Sequence, residues 1–219
     1  MSKTLPVLYS FRRCPYAMRG RMALDVAGIE LEHREILLKD KPADMLAASP
    51  KGTVPVLVLP DGTVIEESLD VMNWALSQND PENWLAPGED MTALISTNDG
   101  EFKHHLDRYK YATRYDGAVA EEHRAEASVI VGGLDGRLAG SEQLMGDAVS
   151  LADIAIFPFI RQFANTDRDW FDAQDWPDVK RWLAGHLASD RFARIMKKHD
   201  LWVPEKPSSG GQAAVTNTA

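Results

Sequence analysis

The chain contains a single cysteine, Cys14, and its surroundings indicate a thiol that takes part in covalent chemistry. Pro15 follows it directly, and proline fits the first position of a helix because the backbone N–H that it lacks would have no partner there. A cysteine at a helix start faces free backbone N–H groups and the positive end of the helix dipole, which stabilise the thiolate. The sequence therefore predicts that Cys14 is a nucleophile with a lowered pKa.

The size of the pKa shift decides how much of the thiol is reactive. A thiol with a pKa of about 8.5 is only about 3% ionised at pH 7, whereas a pKa near 7 makes about half of it thiolate. Arg12 and Arg13 add positive charge, but exposed charges are screened, so we expect modest tuning with at least one of them pointing to solvent. The alternative is that Cys14 fills space in the core, which its position between Arg13 and Pro15 disfavours.

The composition of the chain excludes several classes of function. One cysteine cannot form an internal disulfide, and C-P-Y-A lacks a second cysteine, so redox chemistry at Cys14 needs an external thiol. The net charge of −9 disfavours nucleic acid as a partner, because phosphate contacts need a basic face. No stretch reaches the roughly 18 apolar residues of a membrane span, and the N-terminus lacks an apolar signal region, so we expect a cytoplasmic protein without membrane association.

Residues 1–78 show an alternation of strand and helix signals. The Cys14 helix is expected to end near Gly28, because glycine commonly follows a helix end. Pro60-Asp61-Gly62 is typical of a hairpin turn between two strands. The predicted elements are strands at 5–9, 31–37, 54–59 and 63–65 and helices at 14–27, 42–48 and 68–77, the last one capped by Ser68. The order β-α-β-α-β-β-α is typical of a thioredoxin-like domain.

Residues 88–203 are predicted to form an all-α domain, which a proline- and glycine-marked linker at 79–87 joins to the first domain. One long helix is expected at 90–115, with Gly100 as a candidate kink. Ser150 and Asp153 form a capping-box pattern before an apolar helix. Further helices are expected at 119–138, 177–188 and 190–198. The segment 204–219 is rich in serine, glycine and alanine, so we expect it to be disordered.

Four motifs of the first half resemble the glutathione transferases, in particular their cysteine-containing omega-type and glutaredoxin-like branch. They are S-F-R-R-C-P-Y-A at 10–17, L-K-D-K-P at 38–42, P-K-G-T-V-P-V-L at 50–57 and E-E-S at 66–68. The second half resembles the family less specifically, through the 150–153 box and W-P-D-V-K-R-W-L at 176–183. The resemblance implies an α/β thioredoxin-like N-terminal domain plus an all-α C-terminal domain, glutathione as co-substrate, and a homodimer.

The resemblance also implies a glutathione site around Cys14, the catalytic residue in this interpretation. Its implied residues are Phe11, Lys41, Val54, Pro55, Glu67 and Ser68. Lys41 would reach the glycyl carboxylate, and Val54, preceding a cis Pro55, would hold the cysteinyl backbone. Taken alone, these residues allow plainer interpretations, because only about 5% of X-Pro bonds are cis and a lone lysine usually lies on the surface.

Glu67 and Ser68 would, by the same resemblance, bind the γ-glutamyl end of glutathione. That end carries an ammonium and a carboxylate on one carbon. Free N–H groups at a helix start bind carboxylates, and a neighbouring glutamate could receive the ammonium. Without the resemblance, Ser68 is simply the cap of its helix.

The helix predicted at 90–115 would line the pocket of a second substrate if the resemblance holds. The candidate residues for this pocket are Arg13, Tyr16, His105 and Tyr109. His105 and Tyr109 are four residues apart and share a helix face, although a packed aromatic face is the alternative for most of this helix. His104, His105 and His123 show no metal-binding spacing, so no metal site is predicted.

The predicted function is glutathione-dependent thiol transfer, in the form of deglutathionylation, disulfide exchange or dehydroascorbate-type reduction. Cys14 would form a mixed disulfide with glutathione, and a second glutathione would resolve it because no second cysteine is present. The other partner would be a glutathionylated or electrophilic small molecule or protein. Two alternatives stay open: a binding or redox-sensing protein without turnover, and conjugation of glutathione to an electrophile, with Ser10 or Tyr9 as the activating hydroxyl.

Overall fold

The computed structural model describes residues 4–86, 88 and 90–204. Its four strands are β1 (Val7–Ser10), β2 (Glu32–Glu35), β3 (Val56–Val58) and β4 (Val64–Ile65). They form one sheet in the order β2-β1-β3-β4. Strand β1 runs parallel to β2 and antiparallel to β3, and β3 pairs antiparallel with β4. The mixed sheet is the one that a thioredoxin-like order of elements requires.

Ten helices accompany the sheet in the described part of the chain. They are α1 (Pro15–Val26), α2 (Ala43–Ala48), α3 (Ser68–Gln78), α4 (Met91–Thr97), α5 (Lys103–Lys110), α6 (Ala120–Leu138), α7 (Leu151–Ala164), α8 (Arg168–Ala173), α9 (Pro177–Ala188) and α10 (Asp190–Ile195). The predicted order β-α-β-α-β-β-α of the first half is confirmed, and the second half is helical as predicted. Helix α1 begins directly after Cys14, and Gly28 follows its end with a φ of 68°, a left-handed conformation that suits glycine.

Three details of the helix prediction are wrong. The helix expected at 90–115 ends at Lys110, although its candidate kink at Gly100 does lie within a π-helical turn, Asn98–Phe102, between α4 and α5. Helix α8 was not predicted, although Asp167 accepts a hydrogen bond from the N–H of Trp170 as a standard N-cap. Ser68 does not cap α3, because it is already the first helical residue and its hydroxyl faces the protein interior.

The two halves of the chain are joined through the buried guanidinium of Arg19 in α1. Arg19 is fully buried and donates hydrogen bonds to the carbonyl of Ala155 in α7 (2.7 Å) and to the Oγ of Ser68 (3.3 Å). It also pairs with the carboxylate of Asp99 in the π-helical turn. A buried charge is tolerated only when it is paired and hydrogen-bonded, and Arg19 meets both conditions. The first turns of α1 and α3, and therefore Cys14, are held against the helical half.

The capping box before α7 is confirmed. The carboxylate of Asp153 accepts from the backbone N–H and the hydroxyl of Ser150. It also accepts from the N–H of Leu144 at 2.8 Å and from the indole N–H of Trp182 at 2.9 Å. Asp153 is fully buried, so this one carboxylate fixes the start of the most buried helix of the second half.

Three further expectations concern membrane-spanning helices, the C-terminal segment and the domain boundaries. Among the residues that the structure describes, no helix has the length and the apolar composition needed to cross a bilayer. The segment predicted to be disordered, 204–219, lies outside the described residues from 205 onwards. The domain limits at 78, 88 and 203 stay predictions.

Candidate active site

The loop between β1 and Cys14 is fixed from two sides. Arg21, in the second turn of α1, donates hydrogen bonds to the Oγ of Ser10 (2.5 Å) and to the carbonyl of Arg12 (2.7 Å). Glu35, at the end of β2, accepts from the backbone N–H of Arg12 at 2.7 Å. Burial lowers the pKa of Arg21 to about 10, so it remains charged at neutral pH. These contacts place Cys14 at a defined position at the start of α1.

The thiol of Cys14 is partly buried, and it lies 3.8 Å from the carbonyl oxygen of Val54, to which the S–H donates. Burial raises the pKa of this thiol, although the backbone N–H groups of Ala17 and Tyr16 act in the opposite direction. The predicted lowering of the pKa is therefore wrong. The helix start supplies the expected donors, but a sulfur withdrawn from water loses more solvation of its charged form than these donors replace.

The charges around the thiol differ from those predicted. After the backbone N–H groups, Arg21 and Lys103 are the groups that lower the pKa of Cys14 most. Arg13 is exposed, with its guanidinium 5.6 Å from the centre of the Phe11 ring, as the expectation of one solvent-facing arginine requires. The sequence suggested Arg12 and Arg13 because both directly precede Cys14. The fold instead brings Arg21 from about two turns further along α1 and Lys103 from the other half of the chain.

The raised pKa predicts how the alkylation rate of Cys14 depends on pH. Because only the thiolate reacts, the rate with iodoacetamide should rise about tenfold per pH unit from pH 6 to pH 8.5, without a plateau. The single cysteine makes the intact-mass change a direct readout. Glutathione itself, alkylated in the same tube, is the reference thiol. A plateau below pH 7.5 would show a lowered pKa and contradict the burial argument.

The peptide bond between Val54 and Pro55 is cis, as the resemblance implied. Both residues are buried, and the Val54 carbonyl is the group that meets the thiol. Gly20 in α1 permits this approach: a Cβ at Gly20 would lie 3.4 Å from Cγ of Pro55 and 3.2 Å from Cγ1 of Val71. The sequence analysis missed Gly20, because a glycine inside a helix gives no sign of which chain packs against it.

The side chains near the start of α3 form a small polar network. Glu67 is exposed, and its carboxylate pairs with the ammonium of Lys51, which also lies 3.5 Å from the carboxylate of Glu66. Ser49 donates to Glu66 at 2.5 Å. Lys51 was not predicted from the sequence, and it is a cation that already occupies the carboxylate of Glu67. A ligand ammonium at Glu67 would therefore take the place of Lys51.

Lys41 lies beside Gly52, and Ser68 lies beside Arg19 of α1. A Cβ on Gly52 would be 3.3 Å from the ammonium nitrogen of Lys41, so this lysine lies beside the segment that leads to Val54. Ser68 is buried, and its hydroxyl accepts from Arg19. Its backbone N–H belongs to the first turn of α3, where helix N–H groups have no partner within the helix. Of the segments that carry the proposed ligand residues, the one with Val54 contacts the thiol directly.

A cavity of about 470 Å³ opens beside Cys14. Its lining residues are Phe11, Arg13, Cys14, Pro15, Tyr16, Leu38, Lys103, Asp107, Lys110, Tyr111 and Gln162. Burial raises the pKa of Tyr16 to about 12, so its hydroxyl stays protonated. Three cations and one carboxylate, Asp107, line the cavity. The carboxylate pairs with Lys103, which leaves a net positive wall.

Two of the four residues predicted for a second-substrate pocket, Arg13 and Tyr16, line this cavity, and His105 and Tyr109 do not. Tyr109 is buried and packs against Phe163, with ring centres 5.5 Å apart. His105 lies about 200° around the helix from Lys103, because each residue turns the helix by about 100°. The residues of α5 that do line the cavity are Lys103, Asp107 and Lys110.

Comparison with known families decides the identity of the fold. The family model described as glutathione S-transferase, N-terminal domain, matches residues 8–84, and the model described as glutathione S-transferase, C-terminal domain, matches residues 117–185. The two models together cover most of both halves of the chain. The chain belongs to the glutathione S-transferase family. The fold class predicted from the sequence is thereby confirmed.

Similar proteins have names that denote different activities. The chain is 28% identical over 219 residues to glutathione S-transferase omega-1 of Rattus norvegicus, covering 92% of this chain and 88% of the relative. It is 28% identical over 199 residues to maleylacetoacetate isomerase of Dictyostelium discoideum, covering 83% and 88%. It also matches elongation factor 1-gamma of Schizosaccharomyces pombe, at 27% identity over 144 residues. The match covers 62% of this chain but only 35% of that longer relative.

A solved structure has the same fold. It is that of a glutathione transferase family member from Pseudomonas fluorescens with two glutathione molecules bound. The two chains superpose with a TM-score of 0.76 at 20% sequence identity, covering 88% of this chain and 92% of the other. The similarity establishes the shared fold.

The two hydroxyls considered for conjugation lie away from the cavity beside Cys14. Ser10 is fully buried, and its Oγ accepts from Arg21 at 2.5 Å. The Tyr9 hydroxyl accepts from Arg34 at 2.6 Å. Neither residue lines the cavity. Among the described residues that do line it, the thiol of Cys14 and the hydroxyls of Tyr16 and Tyr111 are the groups that could act as an activating hydrogen-bond donor.

Proposed function

We propose that this glutathione S-transferase is a thiol transferase that uses Cys14 as its nucleophile. The observation that carries the proposal is the position of the thiol, which lies between the Val54 carbonyl and the mouth of a cavity with a positive wall. Backbone N–H groups of α1 and the charges of Arg21 and Lys103 stabilise negative charge on the sulfur. The thiol is therefore protonated at rest and supported as its charge develops.

The proposed reaction has two exchanges of sulfur. The Cys14 thiolate attacks the glutathionyl sulfur of a mixed disulfide R–S–S–G, an S–S bond to Cys14 forms, and the substrate leaves as a thiolate that takes up a proton. A second glutathione, as its thiolate, then attacks the Cys14 mixed disulfide, which releases glutathione disulfide and regenerates the Cys14 thiolate. In sum, R–S–S–G and one free glutathione give the thiol R–SH and glutathione disulfide, so one free glutathione is oxidised for each substrate disulfide reduced. The second step needs free glutathione, so we expect the enzyme to act in a reducing compartment such as the cytoplasm.

Glutathione would be held by the polar groups on the segments that carry the proposed ligand residues. The proposed contacts are the Val54 backbone with the cysteinyl unit, Lys41 with the glycyl carboxylate, and Glu67 with the γ-glutamyl ammonium. The free N–H groups at the start of α3, where Ser68 lies, suit the γ-glutamyl carboxylate. Phe11 and Pro55 would pack against the peptide. The Lys51 ammonium marks the place that the ligand ammonium would take at Glu67.

The Glu67 contact predicts a loss of glutathione affinity on substitution. Glu67→Gln removes the charge but keeps the shape, and a hydrogen bond to a charged group contributes about 1.5–3 kcal/mol, so binding should weaken by about 10- to 100-fold. Asp70→Asn is the matched control, because Asp70 is an exposed carboxylate in the first turn of the same helix. Calorimetric titration with glutathione measures both. Equal affinity of the two variants would remove Glu67 from the site.

The second substrate is proposed to be anionic. Arg13, Lys103 and Lys110 line the cavity against the single carboxylate of Asp107, and the solved relative that binds two glutathione molecules accommodates anions in this fold. A glutathionylated peptide or small molecule carries the two carboxylates of its glutathione part. We further propose that the active form is a homodimer.

A second candidate function follows from the protonated thiol. A neutral Cys14 could donate a hydrogen bond to the thiolate of bound glutathione, which would then attack an electrophile or catalyse an isomerisation. The raised pKa of Cys14 favours this role, and a relative named maleylacetoacetate isomerase is similar over most of its length. In that case Cys14 never becomes covalently attached to glutathione.

Parallel turnover assays test the proposed function. The wild-type enzyme should reduce a glutathionylated peptide and a small-molecule disulfide with glutathione as the only reductant, and it should do so faster than it conjugates a chloronitrobenzene. Conjugation without disulfide turnover would favour the second candidate. Glutathione binding without turnover of either substrate would favour a binding or redox-sensing protein.

A further inference from the structure

Three histidines that do not line the cavity beside Cys14 lie close together in the helical half. His104 and His105 are consecutive residues of α5, and His123 lies in the first turn of α6. Their ring centres are 5.0, 5.8 and 5.1 Å apart, which closes a triangle. Each ring offers a nitrogen within 4.8 Å of those of the other two. No carboxylate or sulfur is needed to complete this cluster.

The spacing of the nitrogens suits a small metal ion. A zinc ion takes imidazole nitrogens at about 2.1 Å, so tetrahedral geometry places its ligand nitrogens about 3.4 Å apart. The Nδ1 atoms of His105 and His123 are already 2.9 Å apart, where one must donate and the other accept. For an ion to bind between these two atoms, the histidine that donates must first change tautomer, so that its proton lies on Nε2 and its Nδ1 is free.

The third ring is the most accessible one. His104 is exposed, and its Nδ1 accepts a hydrogen bond from the guanidinium of Arg108 at 2.9 Å. This hydrogen bond uses the Nδ1 lone pair of His104, and it places a positive charge beside the cluster. Arg108 must therefore move away when a cation enters, and this movement also affects its present contact with the Tyr115 ring, whose centre lies 4.4 Å from the guanidinium.

We propose that His104, His105 and His123 form a binding site for one divalent ion of the zinc, copper or nickel class, between α5 and α6. Imidazole ligands suit these ions better than magnesium or calcium, which prefer oxygen. Three protein ligands leave the fourth position of a tetrahedral ion to water. The bound ion joins α5 to α6, so it stabilises the helical half. The sequence could not indicate this site, because two adjacent helix positions and a third 18 residues later do not form a known ligand spacing.

Zinc titration of the folded protein tests the proposal. The Cys14→Ser variant is used throughout, so that the thiol cannot contribute a ligand. Calorimetry should show one zinc ion per chain, and the ion should raise the melting temperature, because a ligand that binds only the folded state stabilises it. His105→Ala and His123→Ala should each weaken binding by more than about tenfold, the lower bound for loss of even a supporting group.

Matched variants separate this site from ordinary surface histidines. His33 and His199 stack with ring centres 4.0 Å apart elsewhere on the protein, so His199→Ala should bind zinc as the parent does. His104→Gln changes an exposed side chain and should weaken binding even if the more buried variants fold poorly. Arg108→Gln removes the competing charge and should tighten binding. Absence of binding, or equal affinity in the His104 and His199 variants, would overturn the proposal.

Discussion

Replacing Cys14 with serine should reduce kcat/KM for deglutathionylation by at least about 10³-fold, because loss of an attacking nucleophile removes the covalent route altogether. A serine hydroxyl is not ionised at neutral pH and is a poor nucleophile towards sulfur. The substitution keeps the size of the side chain and leaves a donor for the Val54 carbonyl. Glutathione affinity and the melting temperature should therefore stay close to those of the wild type.

The comparison enzyme for this prediction is Tyr16→Phe. Tyr16 lines the same cavity, and its pKa of about 12 keeps the hydroxyl protonated in the working range of pH. Removing that hydroxyl should change the rate far less than removing the thiol. If Cys14→Ser retained a tenth of the wild-type rate, the thiol would not be the nucleophile. If Cys14→Ser lost conjugation and disulfide reduction to the same small extent, the hydrogen-bonding role would be favoured.

The largest effect on stability is expected from Asp153→Ala. Asp153 is fully buried, and its removal leaves the N–H of Leu144 and the indole N–H of Trp182 without their acceptor. Each unsatisfied buried donor costs about 1–3 kcal/mol and the lost cap adds to this, so the free energy of unfolding should fall by about 3–5 kcal/mol. The midpoint of urea unfolding measures the loss.

Asp167→Ala is the matched control for Asp153→Ala. Asp167 also caps a helix, accepting from the N–H of Trp170 at 3.1 Å, but its side chain is about half exposed. Water replaces the lost acceptor there, so the cost should be about 1 kcal/mol or less. Equal losses in the two variants would mean that burial of Asp153 adds nothing to the capping contact.

The N-terminal half could be predicted from the sequence because its signals are local. Pro15 and Gly28 mark the two ends of α1, and the Asp61-Gly62 turn separates β3 from β4. The capping box of Ser150 and Asp153 likewise predicts the start of α7 from four consecutive residues. In each case the residue that starts or ends the element is adjacent to that element in the sequence.

The chemistry of the site could not be predicted in the same way, because it depends on residues brought together from distant parts of the chain. Adjacency suggested Arg12 and Arg13 as the charges beside the thiol, whereas the fold supplies Arg21 and, from α5, Lys103. The direction of the Cys14 pKa shift depends on how deeply the helix start is covered, which no local motif records. The cavity face of α5 and the histidine cluster were missed for the same reason, since each requires knowledge of which helix packs against α5.

Intact-mass spectrometry of the acid-quenched enzyme is the most direct test of the central claim. After brief exposure to a glutathionylated peptide without free glutathione, the wild type should gain one glutathionyl group on Cys14 and release the reduced peptide in equal amount. Addition of glutathione should remove that group at least as fast as steady-state turnover. Turnover that proceeds with no such adduct, or an adduct that glutathione removes more slowly than turnover, would contradict the account.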